Sequence, residues 1–104
     1  MSELRNKQSE FVLMVAKLII FAYGRGYELT FGDAHALAGH RPNSNHYIRL
    51  AIDLNLFAAN VWLEKGPVME AAHGELHDYW DSIGGAIRIK NDLNHYSLGY
   101  QGRI

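Results

Sequence analysis

Cysteine is absent from the 104-residue chain, which excludes disulfides, thiolate metal sites and cysteine nucleophiles. Any bound metal must therefore be held by His, Asp or Glu. An excess of one charge is also lacking: ten basic and eleven acidic residues give a formal net charge of −1, whereas nucleic-acid binders carry a basic surface. The apolar run 11–23 contains Lys17 and is shorter than the roughly 20 residues that span a bilayer. The composition predicts no nucleic-acid binding and no stable membrane insertion.

The length and composition are those of one small domain. A chain with 48% hydrophobic and 20% charged residues can form one compact core, and 104 residues are too few for two. We therefore interpret residues 1–104 as a single domain. A bound metal would add stability to a domain of this size.

Hydrophobic periodicity and glycine positions predict two main helices, at about 3–23 and 67–83. Alternating or apolar runs predict short strands at 27–31, 50–57, 61–63, 86–89 and 96–98. The order of these elements predicts an α+β fold with a small antiparallel sheet packed with two main helices.

One buried carboxylate and one histidine suggest a shared site. Asp53 falls between Ile52 and Leu54 in the predicted strand, and a carboxylate among apolar residues needs a partner or a metal. His46 lies seven residues earlier, which is about 23 Å in a straight strand. A shared metal therefore requires the chain to bend back within 47–50. A plain hydrogen bond between Asp53 and His46 is the alternative.

His95 is the candidate third ligand. Two histidines and one carboxylate leave the fourth position of a zinc ion open for water, as in catalytic zinc sites. Asp92, three residues earlier, is placed to act as a general base. By spacing alone, a histidine in a surface turn is the alternative for His95, and an Asx-turn carboxylate is the alternative for Asp92.

A second pair, His73 and His77, has the i, i+4 spacing of helical metalloprotease sites. The glutamate of that motif is displaced here: Glu75 stands at the third position rather than the second, so it points elsewhere around the helix. We expect a solvated helix face at these histidines rather than a second metal site.

The candidate ligands fall within motifs that resemble a known family. Ser44-Asn45-His46 followed by Ala51-Ile52-Asp53 resembles the signature Ser-x-His-x-x-Gly-x-Ala-x-Asp of the zinc D-alanyl-D-alanine carboxypeptidases and L-alanyl-D-glutamate endopeptidases. Asp92-x-x-His95 resembles the later Asp/Glu-x-x-His of that family. Small phage-encoded members are similar over three further stretches, at 49–57, 79–85 and 94–97.

The resemblance covers nearly the whole chain and implies specific expectations. The fold is that of the hedgehog and D-Ala-D-Ala peptidases, zinc is the cofactor, and a peptidoglycan peptide is the substrate. His46, Asp53 and His95 bind the metal, and Asp92 is the base. The enzyme is of the D,D-carboxypeptidase or L-alanyl-D-glutamate endopeptidase type. Without a clear signal peptide, we expect a phage endolysin that is made in the cytoplasm and acts on the cell wall after release.

Departures from the family pattern bear on activity. Arg49 stands at the glycine of the signature, and residues 86–89 replace a Trp-Gly-Gly segment. The family's upstream arginine is missing after residues 32–35, and Arg41 is our substitute, predicted to hold a substrate carboxylate or oxyanion; a loop arginine in solvent is the alternative. A second hypothesis follows: a catalytically weak or inactive zinc-containing module of the same fold that binds peptidoglycan.

Overall fold

The first helix contributes one side of the core. In the computed structural model, which describes residues 2–104, helix α1 spans Glu3–Gly24. Ser2 caps its start, because the hydroxyl oxygen accepts a hydrogen bond of 3.1 Å from the Arg5 N–H. The buried residues of α1 recur at spacings of three and four, so they form one stripe: Phe11, Met14, Val15, Leu18 and Ala22. That stripe joins the hydrophobic core of the domain.

The strands of the described residues form one small antiparallel sheet: β1 (Glu28–Phe31), β2 (Ala51–Ala58), β3 (Val61–Trp62) and β4 (His95–Ser97). Strand β2 is central, because each of the other three pairs with it. Its alternation separates two faces. Ile52, Leu54 and Leu56 are buried in the core, whereas Asp53 and Asn55 on the opposite face remain partly exposed.

Helix α2 spans Pro67–Ser82 and begins with proline. Proline has no N–H, and an N–H in the first turn of a helix would have no helical acceptor, so no hydrogen bond is lost there. Its Trp80 is fully buried and meets Phe11 of α1 edge to face, with ring centroids 5.9 Å apart. The Trp80 Nε1–H donates to the Ser97 main-chain oxygen of β4 at 2.8 Å. One indole therefore connects both helices and the sheet. The two helices and the small antiparallel sheet confirm the predicted α+β fold.

The strand predicted at 86–89 is wrong. This segment makes one main-chain hydrogen bond to β4, from Ala86 N–H to Ser97 O at 2.8 Å, and forms no strand. Arg88 instead turns to helix α2, where its Nη2 donates to Asp78 Oδ1 at 2.7 Å and to Asp81 Oδ2 at 3.1 Å. The Arg88 side chain thus contacts helix α2.

The membrane prediction concerned the apolar run in α1. Among residues 2–104, no helix combines the length and apolar character needed to cross a bilayer.

Candidate metal centre

A tight reversal of the chain carries His46. Residues Asn45–Ile48 form a 3-10 helix, and the Ser44 hydroxyl accepts a hydrogen bond of 3.3 Å from the His46 N–H. Arg49 then adopts the left-handed conformation, with φ 58° and ψ 36°. The chain thus bends where a site shared with Asp53 requires it to. Glycine adopts this conformation most easily, and glycine is the residue that the family signature has at the position of Arg49.

Three side chains from distant stretches converge here, and we call them the His46–Asp53–His95 triad. His46 Nε2 lies 3.0 Å from Asp53 Oδ1 and 3.1 Å from His95 Nδ1. The third separation, from His95 Nδ1 to Asp53 Oδ1, is 3.6 Å. The sheet register causes part of this convergence, because Asp53 of β2 is paired directly with His95 of β4. Both histidines are buried, and the Asp53 side chain is 17% exposed.

The spacing of the triad suits one cation. Ligands at about 2.0–2.1 Å from a tetrahedral metal lie about 3.3 Å from one another. The three separations of 3.0, 3.1 and 3.6 Å bracket that distance. Imidazole nitrogen and carboxylate oxygen are ligand types of zinc and other divalent metals. Both the donor chemistry and the geometry therefore fit a bound metal.

The Asp53 carboxyl group is held in its charged form. Burial by itself raises its pKa, but hydrogen bonds and charge interactions with His46 and His95 outweigh burial and lower the pKa to about 2. The group is therefore ionised at neutral pH, which is the state that binds a cation.

Gly32 packs directly against Asp53. The Gly32 N–H donates to Asp53 O at 2.8 Å, and the Asp53 N–H donates to Asp33 O at 2.8 Å. A Cβ placed on Gly32 would lie 3.0 Å from the Asp53 Cβ, which is closer than carbon atoms normally approach. The absence of a side chain at position 32 therefore lets Asp53 occupy its place in the triad.

Replacing Gly32 with alanine is expected to weaken metal binding while the fold persists. The added methyl group displaces the Asp53 Cβ, so the carboxylate loses its spacing to both histidines. We expect the metal dissociation constant to rise by about tenfold, measured by competition with a chromophoric chelator. Gly74→Ala is the matched control, because its Cβ would meet only Arg88 Nη1 at 3.9 Å. Equal dissociation constants for the Gly32→Ala protein and the control would contradict this role for Gly32.

The predicted base and the predicted arginine lie close to each other, and the base is on the turn that leads to His95. The His95 N–H donates to Asp92 O at 3.1 Å, so one turn positions both side chains. Arg41 Nη1 lies 4.0 Å from Asp92 Oδ2, and Arg41 Nη2 donates to the Ile104 main-chain oxygen at 2.8 Å. Arg41 is therefore held by one hydrogen bond to the main chain and lies next to Asp92. Both side chains remain about 40% exposed, at 39% for Arg41 and 41% for Asp92.

A cleft of about 710 Å³ opens at the same turn. Hydrogen bonds from Leu54 N–H to Asn94 O and from Leu63 N–H to Leu56 O use the same edge of β2. Strands β3 and β4 therefore share that edge, and the cleft occupies the gap between them. Asp92 lines it, whereas the triad residues do not. The cleft therefore reaches the turn that carries Asp92 and leads to His95. We place the chemistry at the triad because the ligand atoms converge there.

A fourth residue of ligand type adjoins the triad. His40, His46 and Asp53 form a group that could hold a metal ion, since their ligand atoms all lie within 4.8 Å of one another. The His40 ring stacks on the His46 ring with centroids 4.0 Å apart. This group and the triad share His46 and Asp53. We take the triad as the inner ligand set, because its separations are shorter.

The prediction of a solvated helix face at His73 and His77 is wrong. Both side chains are buried against Tyr96 of β4. His73 Nδ1 lies 2.7 Å from Tyr96 Oη, and the His77 ring stacks on the Tyr96 ring at 4.2 Å. Because His77 Nε2 also lies 2.8 Å from Leu93 O, it donates to that carbonyl. Each histidine thus makes one hydrogen bond within the core, whereas His77 Nδ1 is buried and has no hydrogen-bond partner among residues 2–104.

Buried neutral histidines make the protein sensitive to acid. Burial, with a smaller contribution from His77, lowers the pKa of His73 from 6.5 to about 4. The unfolded chain therefore takes up a proton at this residue near pH 6.5, whereas the folded protein does so only near pH 4. Stability contributed by the neutral form is present above pH 6.5 and falls as the pH drops from 6.5 towards 4.

Replacing His73 with glutamine is expected to flatten the fall in stability between pH 6.5 and pH 4. Glutamine keeps a hydrogen-bonding group for Tyr96 but takes up no proton. The slope of unfolding free energy against pH should drop by at most about 1.4 kcal/mol per pH unit, the value for one proton. Urea denaturation of the metal-free proteins measures the slope. Above pH 7 the two curves should run parallel, and identical slopes at every pH would rule out His73 as a source of acid sensitivity.

The sequence-based predictions did not include His40, Asp33 or Gly32 as residues of the centre. All three lie within 31–40, where no regular periodicity assigns a face to any side chain. The available signals were local: a glycine followed by an aspartate directly after a strand, and a histidine six residues before His46.

Comparison with known proteins gives no match: no family model fits the chain, and no curated protein or solved structure is significantly similar to it.

Proposed function

We propose that the protein is a zinc-dependent peptidase that hydrolyses peptide bonds in the peptide stems of bacterial peptidoglycan. The convergence of His46 Nε2, Asp53 Oδ1 and His95 Nδ1 within 3.6 Å is the observation that carries the proposal. Two histidines and one carboxylate are the ligand set of catalytic zinc sites that keep one position open. The choice of peptidoglycan as the substrate rests on the motif resemblance described above. The left-handed conformation of Arg49, at the glycine of that signature, supports the alignment of the motif.

Each residue of the centre has a distinct role in this proposal. His46, Asp53 and His95 would hold zinc, which supplies a Lewis acid that polarises the scissile carbonyl and lowers the pKa of a water molecule. Asp92 takes the proton from the attacking water and delivers it to the leaving amine. Arg41, beside Asp92, binds a substrate carboxylate or the developing oxyanion.

The cleft between β3 and β4 is the proposed binding groove for the peptide. It is lined by Asp92, by polar side chains such as Asn55 and by the half-exposed Trp62. Aromatic and amide groups of this kind suit a peptide, which offers both apolar surface and hydrogen-bonding groups. The product is expected to be that of a D,D-carboxypeptidase or an L-alanyl-D-glutamate endopeptidase. The resemblance to small phage-encoded members extends the proposal to an endolysin that reaches the cell wall after release.

One observation favours a second candidate, a zinc-containing module of the same fold that binds peptidoglycan without turnover. Arg41 Nη2 donates to the Ile104 oxygen at 2.8 Å, so part of its guanidinium is already occupied. A substrate carboxylate would have to share that group or replace Ile104. The two candidates differ in whether peptide bonds are broken.

Digestion of purified peptidoglycan tests the proposal. We expect new peptide termini, identified by mass spectrometry of the released fragments, in samples with zinc-loaded protein and none after treatment with a chelator. Readdition of zinc should restore them. Sedimentation of the protein with peptidoglycan in the absence of new termini would support the binding module instead, and protein that neither binds nor cleaves peptidoglycan would refute both.

A further inference from the structure

We propose that His40 is a fourth protein ligand of the metal held by the triad, with Asp33 as the carboxylate that orients the His40 ring. This inference rests on the metal site of the proposed function and concerns its regulation. It starts from the position of His40. A cation held by His46 and Asp53 lies within reach of His40 as well, because the ligand atoms of these three residues are all within 4.8 Å of one another.

The main chain of His40 is held in place by the side chain of Tyr47. The Tyr47 hydroxyl accepts a hydrogen bond from the His40 N–H at 2.8 Å and donates one to the His40 main-chain oxygen at 2.7 Å. Tyr47 follows His46 directly, so the same 3-10 helix positions one ligand and clamps the main chain of His40. The His40 side chain is 20% exposed. Both hydrogen bonds of Tyr47 hold main-chain atoms of His40 and do not restrain its side-chain torsions.

Asp33 gives His40 the chemistry of a metal ligand. His40 Nε2 lies 3.0 Å from Asp33 Oδ2, so this nitrogen donates its proton to the carboxylate and Nδ1 keeps a free lone pair. Metal-binding histidines commonly make this kind of hydrogen bond to a carboxylate through their second nitrogen. Asp33 is itself joined to the centre, because its main-chain oxygen accepts from the Asp53 N–H.

Coordination requires a limited movement of His40. The planes of the His40 and His46 rings differ by only 22°, so the nitrogen lone pairs of the two rings lie in nearly parallel planes. The His40 ring must therefore rotate before both histidines can bind the same ion. Ligand atoms that are up to 4.8 Å apart must close to about 3.3 Å. The proposal requires a rotation about the side-chain χ angles of His40. The Asp33 side chain, which is 62% exposed, has room to follow the ring, and the hydrogen bonds of Tyr47 to the His40 main chain need not break.

A fourth protein ligand would make the centre latent. Three histidines and one carboxylate fill a tetrahedral zinc site, and filled sites of this kind are structural rather than catalytic. Substrate or water would then have to displace His40 before reaction. Such a device would keep a wall-degrading enzyme inactive until a peptide enters the site.

The test uses the full unmodified protein with zinc as the only added ligand. The histidine ring nitrogens are observed by long-range ¹H–¹⁵N correlation, before and after one equivalent of zinc. We expect His40 Nδ1 to shift together with His46 Nε2 and His95 Nδ1, while the exposed His35 stays unchanged. If His46 and His95 shift but His40 does not, the inference is overturned and the metal site stands. If none of the three shifts, the proposed function fails as well.

A variant gives an independent reading by affinity. His40→Ala should raise the zinc dissociation constant by about 10-fold to 100-fold, and the matched control His35→Ala should leave it unchanged. Asp33→Asn, which keeps the size of the side chain but weakens its hydrogen bond, should give a smaller rise in the same direction. A His40→Ala protein that binds zinc as tightly as the unmodified protein would overturn the proposal.

Discussion

Replacing His46 with alanine is expected to abolish stoichiometric zinc binding and, with it, the release of peptides from peptidoglycan. His46 Nε2 is the atom that touches both other ligands, at 3.0 and 3.1 Å. Without it, only Asp53 and His95 remain, 3.6 Å apart. We expect zinc affinity to fall by more than about 100-fold, since even residues that only support the ligands commonly contribute 10-fold to 100-fold. Metal content after dialysis and isothermal titration calorimetry measure the loss.

Asp92→Asn is the variant that separates metal binding from catalysis. Its side chain lies on the turn before His95 and outside the triad, so zinc content should equal that of the unmodified protein. Turnover should fall by about 10²-fold to 10⁴-fold, because asparagine cannot accept the proton from the attacking water. Full activity of Asp92→Asn would exclude Asp92 as the base. Peptide release by metal-free His46→Ala protein would contradict the zinc mechanism itself.

The helices and the central strand were predictable because their signals are local. The spacing of Phe11, Val15 and Leu18 places these residues on one helical stripe whatever the rest of the chain does, and α1 has that stripe buried. The alternation in β2 likewise placed Leu54 and Asp53 on opposite faces of the strand, and Leu54 is the buried one. The segment 86–89 has the apolar character of a strand, yet it forms none, and its Arg88 pairs with two aspartates of helix α2. Such long-range partners leave no mark in a local pattern.

The centre was predictable to the extent that its residues sit in motifs. His46, Asp53 and His95 were singled out by motif spacing, and the structure brings all three together. The burial of His73 and His77 was missed, because the displaced position of Glu75 argued only against a second metal site and says nothing about burial. Their burial depends on Tyr96, a partner from the last strand. His40 was missed for a similar reason: it reaches the centre through the fold of an irregular loop, which carries no periodic signal.

Replacing Gly85 with alanine is expected to destabilise the protein by about 3 kcal/mol, the upper end of the usual cost of overpacking a core. A methyl group at this position would overlap the indole of Trp80 at Nε1, Cδ1 and Cε2. Neither group can move aside easily. The indole donates to Ser97 O at 2.8 Å, the Gly85 N–H donates to Trp80 O at 2.8 Å, and the Ala86 N–H donates to the same Ser97 oxygen at 2.8 Å. Urea denaturation followed by tryptophan fluorescence measures the loss.

Gly24→Ala is the matched control, because a Cβ at Gly24 meets nothing within 4 Å and the residue ends a helix, where alanine is favoured over glycine. Its stability should match or slightly exceed that of the unmodified protein. The Gly85 variant should also bind zinc more weakly below its unfolding transition, since the displaced indole acts on Ser97 of β4, the strand that carries His95. Equal stability of the two variants would show that the indole yields to the methyl group, and would remove this link between the core and the metal centre.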